Sequence, residues 1–503
     1  MSQFSGLIGI FALLTVAYLM SNNKRAINWR LIVSGLALQV LLAVFCLKVR
    51  FGREFFHSLG QGIETLLSFS GDGANFVFGF LTAKSARLDE VFGMGSGFIF
   101  AFKLVPTIIF VATLVSIAYH LGVMQRLVKW VAWGVYKVMG ASGSEALSNA
   151  ASIFVGQIEA QLLVKPYLAT MTRSELLAVM AGSMACIAGG VMAVYIQMGI
   201  HAEYLLTASL MAVPGALVMA KLVYPETEPS LTRGEVRLEI KKESVNLIDA
   251  AARGASDGLQ IGLNVCAMLI GFIALIGLVD FMVGKVGLTL AAAGLSLSSV
   301  GLDLNHLSLN GILGSVFSLV AIALGVPMKD ANVVGGLMGT KMVVNEFMAY
   351  AKLAPMLSGT GAQTLDPKSI AIASVALCGF ANFSSIAIQI GGIGEMAPSR
   401  KKDLAELGFR ALLCGTMASY VSSALAGILI GFDGAGSDTW VAGAIMLAAI
   451  GLIIVARKLP GGSPAAQKPV AVSKAELEHI LPSGLPIYDK HGNPVRGSSA
   501  SSN

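Results

Sequence analysis

Apolar runs long enough to cross a bilayer, about 20 residues each, recur along this chain near 4–20, 31–47, 97–121, 174–198, 202–223, 258–283, 369–395, 408–431 and 440–456. Each predicts a spanning helix, since inside hydrocarbon a single crossing can satisfy its backbone N–H and C=O groups only within itself. Two further stretches, about 145–166 and 307–350, are apolar but Gly-rich and spotted with polar residues. They predict re-entrant hairpins, which survive at membrane depth only where protein or a watery cavity serves their backbone. The expected fold class is an all-α polytopic membrane protein. From Leu459 the pattern changes to Pro-Gly-Gly-Ser-Pro-Ala-Ala-Gln and ends in Arg-Gly-Ser-Ser-Ala-Ser-Ser-Asn, too poor in apolar residues to pack, so 459–503 is expected to be a disordered tail.

Composition agrees with a membrane protein: 55% of residues are hydrophobic and 13% charged, with a mean hydropathy of +0.75, which excludes an ordinary soluble globule. The net charge of +6 is not gathered into one basic segment of the kind nucleic acid would need. It is divided among Lys24/Arg25/Arg30, Arg126/Lys129/Lys137, Arg233/Arg237/Lys241/Lys242, Arg400/Lys401/Lys402 and Arg457/Lys458, all between apolar runs. Counting spans alternately places these five clusters on one side, which the positive-inside tendency makes cytoplasmic. The N-terminus is then periplasmic, the tail cytoplasmic, and the location a bacterial-type inner membrane. Lys48, Arg50 and Arg53 fall on the other side, close to Glu54 and Glu64. The first residues lack the basic leader and cleavage site of a signal peptide and are expected to stay as the first span. The five cysteines form no CxxC pair and read as buried free thiols.

Three polar islands interrupt the apolar pattern: Gln157 and Glu159, Asn345 and Glu346, and Asn382 with Ser384 and Ser385. A carboxylate at membrane depth costs at least about 2.5 to 3.5 kcal/mol, so Glu159 and Glu346 are expected to face a cavity, a partner or a solute path. Gln157 and Glu159 are two positions apart and would point away from each other on a regular helix. To serve one site they need a non-helical backbone, which Gly156 permits. Asn382 and Ser385 either share a helix face or flank an unwound turn after Gly379. The islands supply carboxylates, amides and hydroxyls without a fixed cation beside them, which suits a polyhydroxylated, largely neutral solute better than a phosphate. For any single amide, interhelical glue remains the competing reading.

These residues resemble the concentrative nucleoside transporter family in its bacterial type. The resemblance rests on Gly156-Gln-Ile-Glu159, Asn345-Glu-Phe347, Gly379-Phe-Ala-Asn-Phe-Ser-Ser385 and, more weakly, Gly73-Ala-Asn-Phe-Val-Phe-Gly79, and it spans residues 1 to 432 in order. It implies about eight spans, two re-entrant hairpins and interrupted helices, in a homotrimer whose protomers hold a scaffold and a transport domain. The region 1–96 then carries N-terminal spans and a linker, 97–432 the transporter core, 433–458 an extra transmembrane helix, and 459–503 the tail. The resemblance further implies that Gln157 and Glu159 bind the base, with Val191 lining it, that Glu346, Asn382 and Ser385 hold the ribose hydroxyls, and that Phe380 packs nearby. The ion-coupling candidates it implies are Ser152, Val155, Cys186 and Ile187; for a proton, the candidates are instead the two carboxylates at membrane depth, Glu159 and Glu346.

The chain departs from the family's pattern at Ile158, where a Ser or Thr is usual, and at Ser152 and Cys186, where Asn and Ser help hold sodium. Because sodium wants oxygen ligands and a thiol is a poor substitute, these departures favour the proton as coupling ion, with Na+ the alternative. The expected function is secondary active import of nucleosides, and no cofactor, metal or nucleic acid is implied. A channel or facilitator is the opposing class. A membrane enzyme is not favoured, since no nucleophile and base, metal set or phosphate loop occurs at usable spacing.

Overall fold

The computed structural model describes residues 5–82, 99–232, 244–295, 304–357, 364–430 and 438–459; the tail expected from 459 onward lies outside them beyond its first residue. All regular structure among the described residues is helical. The first two apolar runs form α1 (Ser5–Leu19) and α2 (Trp29–Leu47), the latter capped by the Asn28 side chain accepting from the Leu31 N–H. A long helix then appears where the sequence suggested only a linker: α3 (Arg50–Phe78). Its apolar residues are interleaved with Gly and polar positions, so no continuous apolar run exists to reveal it. It buries Phe56, Leu67 and Ala74 and leaves Phe51, Phe55, Phe69 and Phe76 exposed.

The span α4 (Phe100–His120) is followed by α5 (Val123–Met139), which buries Met124, Val128, Ala132, Val135 and Met139 at helical spacing. Much later comes α12 (Leu247–Ala292), a single helix of 46 residues that contains the expected span 258–283. At 1.5 Å per residue it is about 69 Å long, more than twice the hydrocarbon thickness of about 30 Å. It lies against α4 along a seam of Gly254, Gly258 and Gly262; a Cβ on these would come within 2.6–2.8 Å of Ala112, Thr113, Ile109 and Val105.

Between and after these helices the chain uses one arrangement twice. A hairpin, α6 (Gly143–Ala151) with the short α7 (Glu159–Leu162) and α8 (Lys165–Leu168), leads to an interrupted helix, α9 (Arg173–Ala185) and α10 (Gly189–Gln197), and then to the unbroken α11 (Ala202–Val223). After α13 (Leu309–Leu324), a second hairpin, α14 (Ala331–Val343) and α15 (Glu346–Leu357), leads to the interrupted α16 (Pro367–Leu377) and α17 (Phe383–Met396) and the unbroken α18 (Lys401–Ile430). The first unit is held at its start by two capping boxes, Ser142–Glu145 on α6 and Thr172–Glu175 on α9. Lys221 at the end of α11 is buried in an ion pair with Glu145.

The second hairpin is displaced from its expected bounds of 307–350. Residues 309–324 are not one of its arms but a separate helix, antiparallel to α14, with Gly314, Gly335 and Gly339 letting the two backbones approach. The arms are 331–343 and 346–357, so Glu346 sits at the turn rather than at an end. Apolar content alone does not mark this division. The core lies where α9, α11 and α18 cross, and α12 is the most exposed of the long helices. The last apolar run forms α19 (Asp438–Ala456), which packs on α2 with Ala442 and Ala449 turned inward.

Candidate functional site

The two breaks and the two hairpin turns meet at one place. In the first hairpin the helix ends at Ala151, and residues 152–158 are non-helical, the irregular backbone that Gly156 permits. The turn is tied to the first break by the Gly189 N–H, which donates to the Phe154 carbonyl at 3.0 Å. At that break Cys186 and Ala188 have extended backbone. The second break, Cys378 to Asn382, is anchored to the first by the Phe380 N–H donating to the Cys186 carbonyl at 3.3 Å. Gly379 is required here, because its φ of +111° is left-handed and a Cβ would lie 2.5 Å from the Ala185 carbonyl oxygen.

The polar islands converge on this crossing. Glu346 opens α15 and is 5% exposed. The Tyr195 hydroxyl donates to its Oε1 at 3.1 Å, and the Asn382 amide donates to its Oε2 at 3.2 Å. The Asn382 side-chain oxygen caps α17, accepting from the Ser385 N–H at 2.9 Å and from the Ser384 hydroxyl at 2.6 Å. Gln157 donates to the Ser385 hydroxyl at 3.4 Å and accepts from the Gln389 amide at 3.3 Å. Gln157, Ser385, Asn382 and Glu346 are thus joined across both hairpins and the second break. Asn345 instead accepts from the Met348 N–H at 2.9 Å and caps α15. Val191 and Phe380 are partly buried against the apolar cluster that contains Tyr195.

Glu159 stands apart from this chain. It is exposed, and its carboxylate folds back into the space that a Cβ on Gly156 would occupy. Of the two proton-carrier candidates, Glu346 is buried and Glu159 is exposed. Ser152, Val155, Cys186 and Ile187, by contrast, are all buried at the first hairpin turn and the first break, Val155 and Cys186 in one apolar cluster and Ile187 within the next. The Ser152 hydroxyl donates to the Ser148 carbonyl at 2.9 Å, which leaves its oxygen lone pairs free to accept. Ile158 packs over Gly392 of α17.

Three residues were missed at the level of sequence. Tyr195 looks like any aromatic in an apolar span. Gln389 continues the face of Asn382 and Ser385 at i+7, a polar stripe that could have revealed it. Lys341 corrects the expectation that no fixed cation lies beside the islands: it is 1% exposed, five residues before Glu346 on the same hairpin. Its ammonium points at backbone carbonyls rather than at the carboxylate, donating to Ala376 at 2.8 Å and Cys378 at 3.1 Å.

Comparison with known proteins places relatives beside this geometry. Residues 204–427 match the family described as "Na+ dependent nucleoside transporter C-terminus", residues 8–81 the corresponding N-terminus, and residues 101–202 a family described as "Nucleoside recognition". "Nucleoside permease NupC" of Helicobacter pylori is 40% identical over 432 residues, covering 86% of this chain and 99% of the relative. "Sodium/nucleoside cotransporter 1" of Mus musculus is 37% identical over 438 residues, covering 85% of this chain and 64% of the relative. Among solved structures, CNTnw in an inward-facing substrate-bound state superposes with a TM-score of 0.78 at 40% identity, covering 87% of this chain and all of that one. A variant of CNTnw in an outward-facing state gives 0.80 at 41% identity, covering 86% of this chain and all of that one.

Proposed function

Because this chain belongs to the Na+-dependent, concentrative nucleoside transporter family, a family of membrane transporters and not of enzymes, we propose that it is a sodium-coupled symporter that imports nucleosides across a bacterial inner membrane. Cation-coupled nucleoside symport is the coarser statement the comparisons support. The observation that carries the substrate is Glu346. A buried carboxylate with Tyr195 and Asn382 each donating to one oxygen keeps further lone pairs to accept from both hydroxyls of a vicinal diol. In this reading Asn382 and Ser385 share the ribose, Gln157 reaches the base with Val191 and Phe380 beside it, and Glu159 contacts the base only from the exposed rim.

Sodium replaces the proton that Ser152 and Cys186 suggested. The family description and the mouse relative both name sodium. The Cys186 thiol is still a poor ligand. Oxygens remain at the crossing nonetheless: the Ser152 hydroxyl and the carbonyls of Val155 and Ile187. The further elements of the reading are a homotrimer, a scaffold separate from a transport core within 97–432, a periplasmic N-terminus and a cytoplasmic tail.

Uptake of radiolabelled uridine and adenosine into proteoliposomes, under separately imposed sodium and proton gradients, tests the proposal. Accumulation above the outside concentration driven by inward sodium is expected. Accumulation that follows only the proton gradient overturns the ion, and equilibration without accumulation points to a facilitator.

A further inference from the structure

Each half of the repeated arrangement interrupts a helix beside a hairpin turn, and each interruption leaves carbonyls at a helix C-terminus without intrahelical partners. Those carbonyls carry partial negative charge and attract cations. The two breaks are served differently. Around the first, no Lys or Arg occurs anywhere from Ala141 to Leu163, the whole length of the hairpin arm and turn. At the second, Lys341 reaches out of hairpin arm α14 to the Ala376 and Cys378 carbonyls at 2.8 and 3.1 Å. The Ser419 hydroxyl donates to the same Cys378 carbonyl at 2.9 Å, and the Lys341 ammonium lies 6.0 Å from the centre of the Tyr420 ring. Among the described residues no carboxylate lies within ion-pairing distance of it. Carbonyl oxygens and a ring face are what a partly dehydrated monovalent cation would find there.

We propose that Lys341 is a tethered cation. At the second break its ammonium takes the place that the transported ion takes at the first. This rests on the reading of the chain as a cation-coupled nucleoside carrier and deepens it. The charge fixes the end of α16, and through Gly379 to Asn382 it sets where Asn382 meets Glu346. The half of the centre assigned to the ribose is therefore assembled without any ion, and only the first break responds to sodium. Lys341 is a positioning residue: it acts through the carbonyls and does not touch the solute.

The test titrates uridine binding to the purified full-length protein against sodium, in wild type, Lys341→Asn and Ser419→Ala, with 2′,3′-dideoxyuridine as a ligand lacking the diol. Wild type is expected to show first-order dependence on sodium. Lys341→Asn, whose amide oxygen leaves the carbonyls open to an inorganic ion, should lose uridine affinity about tenfold at low sodium, lose much less for dideoxyuridine, and recover as sodium rises with second-order dependence. Wild-type affinity throughout, or an equal loss for both ligands that sodium does not relieve, overturns the proposal. Should Lys341→Asn fail to fold, Ser419→Ala decides, since it removes a neutral donor from the same carbonyl and leaves the charge. Unchanged uridine affinity and sodium order there support the tethered cation, while a diol-selective loss there means that hydrogen bonding and not charge sets the break. A wild type that binds no nucleoside would instead refute the proposed function, whatever the variants do.

Discussion

Glu346 concentrates the site's chemistry at a single side chain. Both its oxygens accept from protein donors, so Glu346→Gln turns an NH2 group against Tyr195 or Asn382 as well as halving the acceptors open to a diol. Hydrogen bonds to a charged group are worth about 1.5–3 kcal/mol. Ribonucleoside affinity should therefore fall by more than about tenfold, with 2′,3′-dideoxynucleosides far less affected; calorimetric titration of a folded variant against both ligands checks this. Ile158 makes a gentler prediction. Its side chain packs over Gly392, next to Gln157, and Ile158→Thr introduces a hydroxyl worth about 0.5–1.5 kcal/mol if it finds the base. The ratio of purine to pyrimidine uptake should shift several-fold in competition assays without either being abolished. Glu346, Gln157, Asn382 and Ser385 were legible because a polar group inside an apolar run demands an explanation. Tyr195 was not, since its ring satisfies the apolar pattern and only its hydroxyl enters the site. Lys341 obeys the same rule as a charge inside an apolar stretch, but its partners are backbone carbonyls, which no residue pattern displays.

At the scale of elements, the breaks are more informative than the spans. Gly379 combines a left-handed φ of +111° with a close approach to the Ala185 carbonyl, and Gly379→Ala should cost about 1–3 kcal/mol. A lowered thermal midpoint, accompanied by loss of nucleoside binding, is the expected result. The seam between α4 and α12 makes a separate prediction. A Cβ on Gly258 would meet the Ile109 backbone at 2.6 Å, so Gly258→Leu should force the helices apart at about 1–3 kcal/mol, lowering the midpoint without altering base preference. Most spans could be read directly, as a run of about 20 apolar residues admits few other outcomes. The amphipathic α3 and α5 could not, because their apolar residues are spaced for one face and never form a run. The second hairpin was found but misplaced: α13 and α14 are both apolar and Gly-rich, and only their antiparallel packing shows that the turn carrying Glu346 comes one helix later.

For the whole molecule, the alternation of basic clusters with apolar runs predicts a cytoplasmic tail after α19. A cysteine introduced at Ser499 should stay unlabelled by an impermeant thiol reagent in intact spheroplasts and become labelled once the membrane is opened. Labelling before opening would place the tail outside and reverse the reading of α19 as a crossing. Hydropathy and charge carry this much because they respond to the bilayer as a solvent. They carry nothing about the convergence of hairpins and breaks, which arises from contacts between residues as distant as Gln157 and Ser385.

That convergence is knitted from main chain. Gly189 to Phe154 and Phe380 to Cys186 are backbone hydrogen bonds, and Gly379 meets Ala185 backbone to backbone. The frame of the centre is consequently indifferent to most of the side chains it displays, as a loom is to the colour of its thread. Ile158 and Cys186 can be exchanged for residues of other chemistry while the helix ends stay in register. A carrier built in this way can acquire a taste for another base, or for another ion, one substitution at a time.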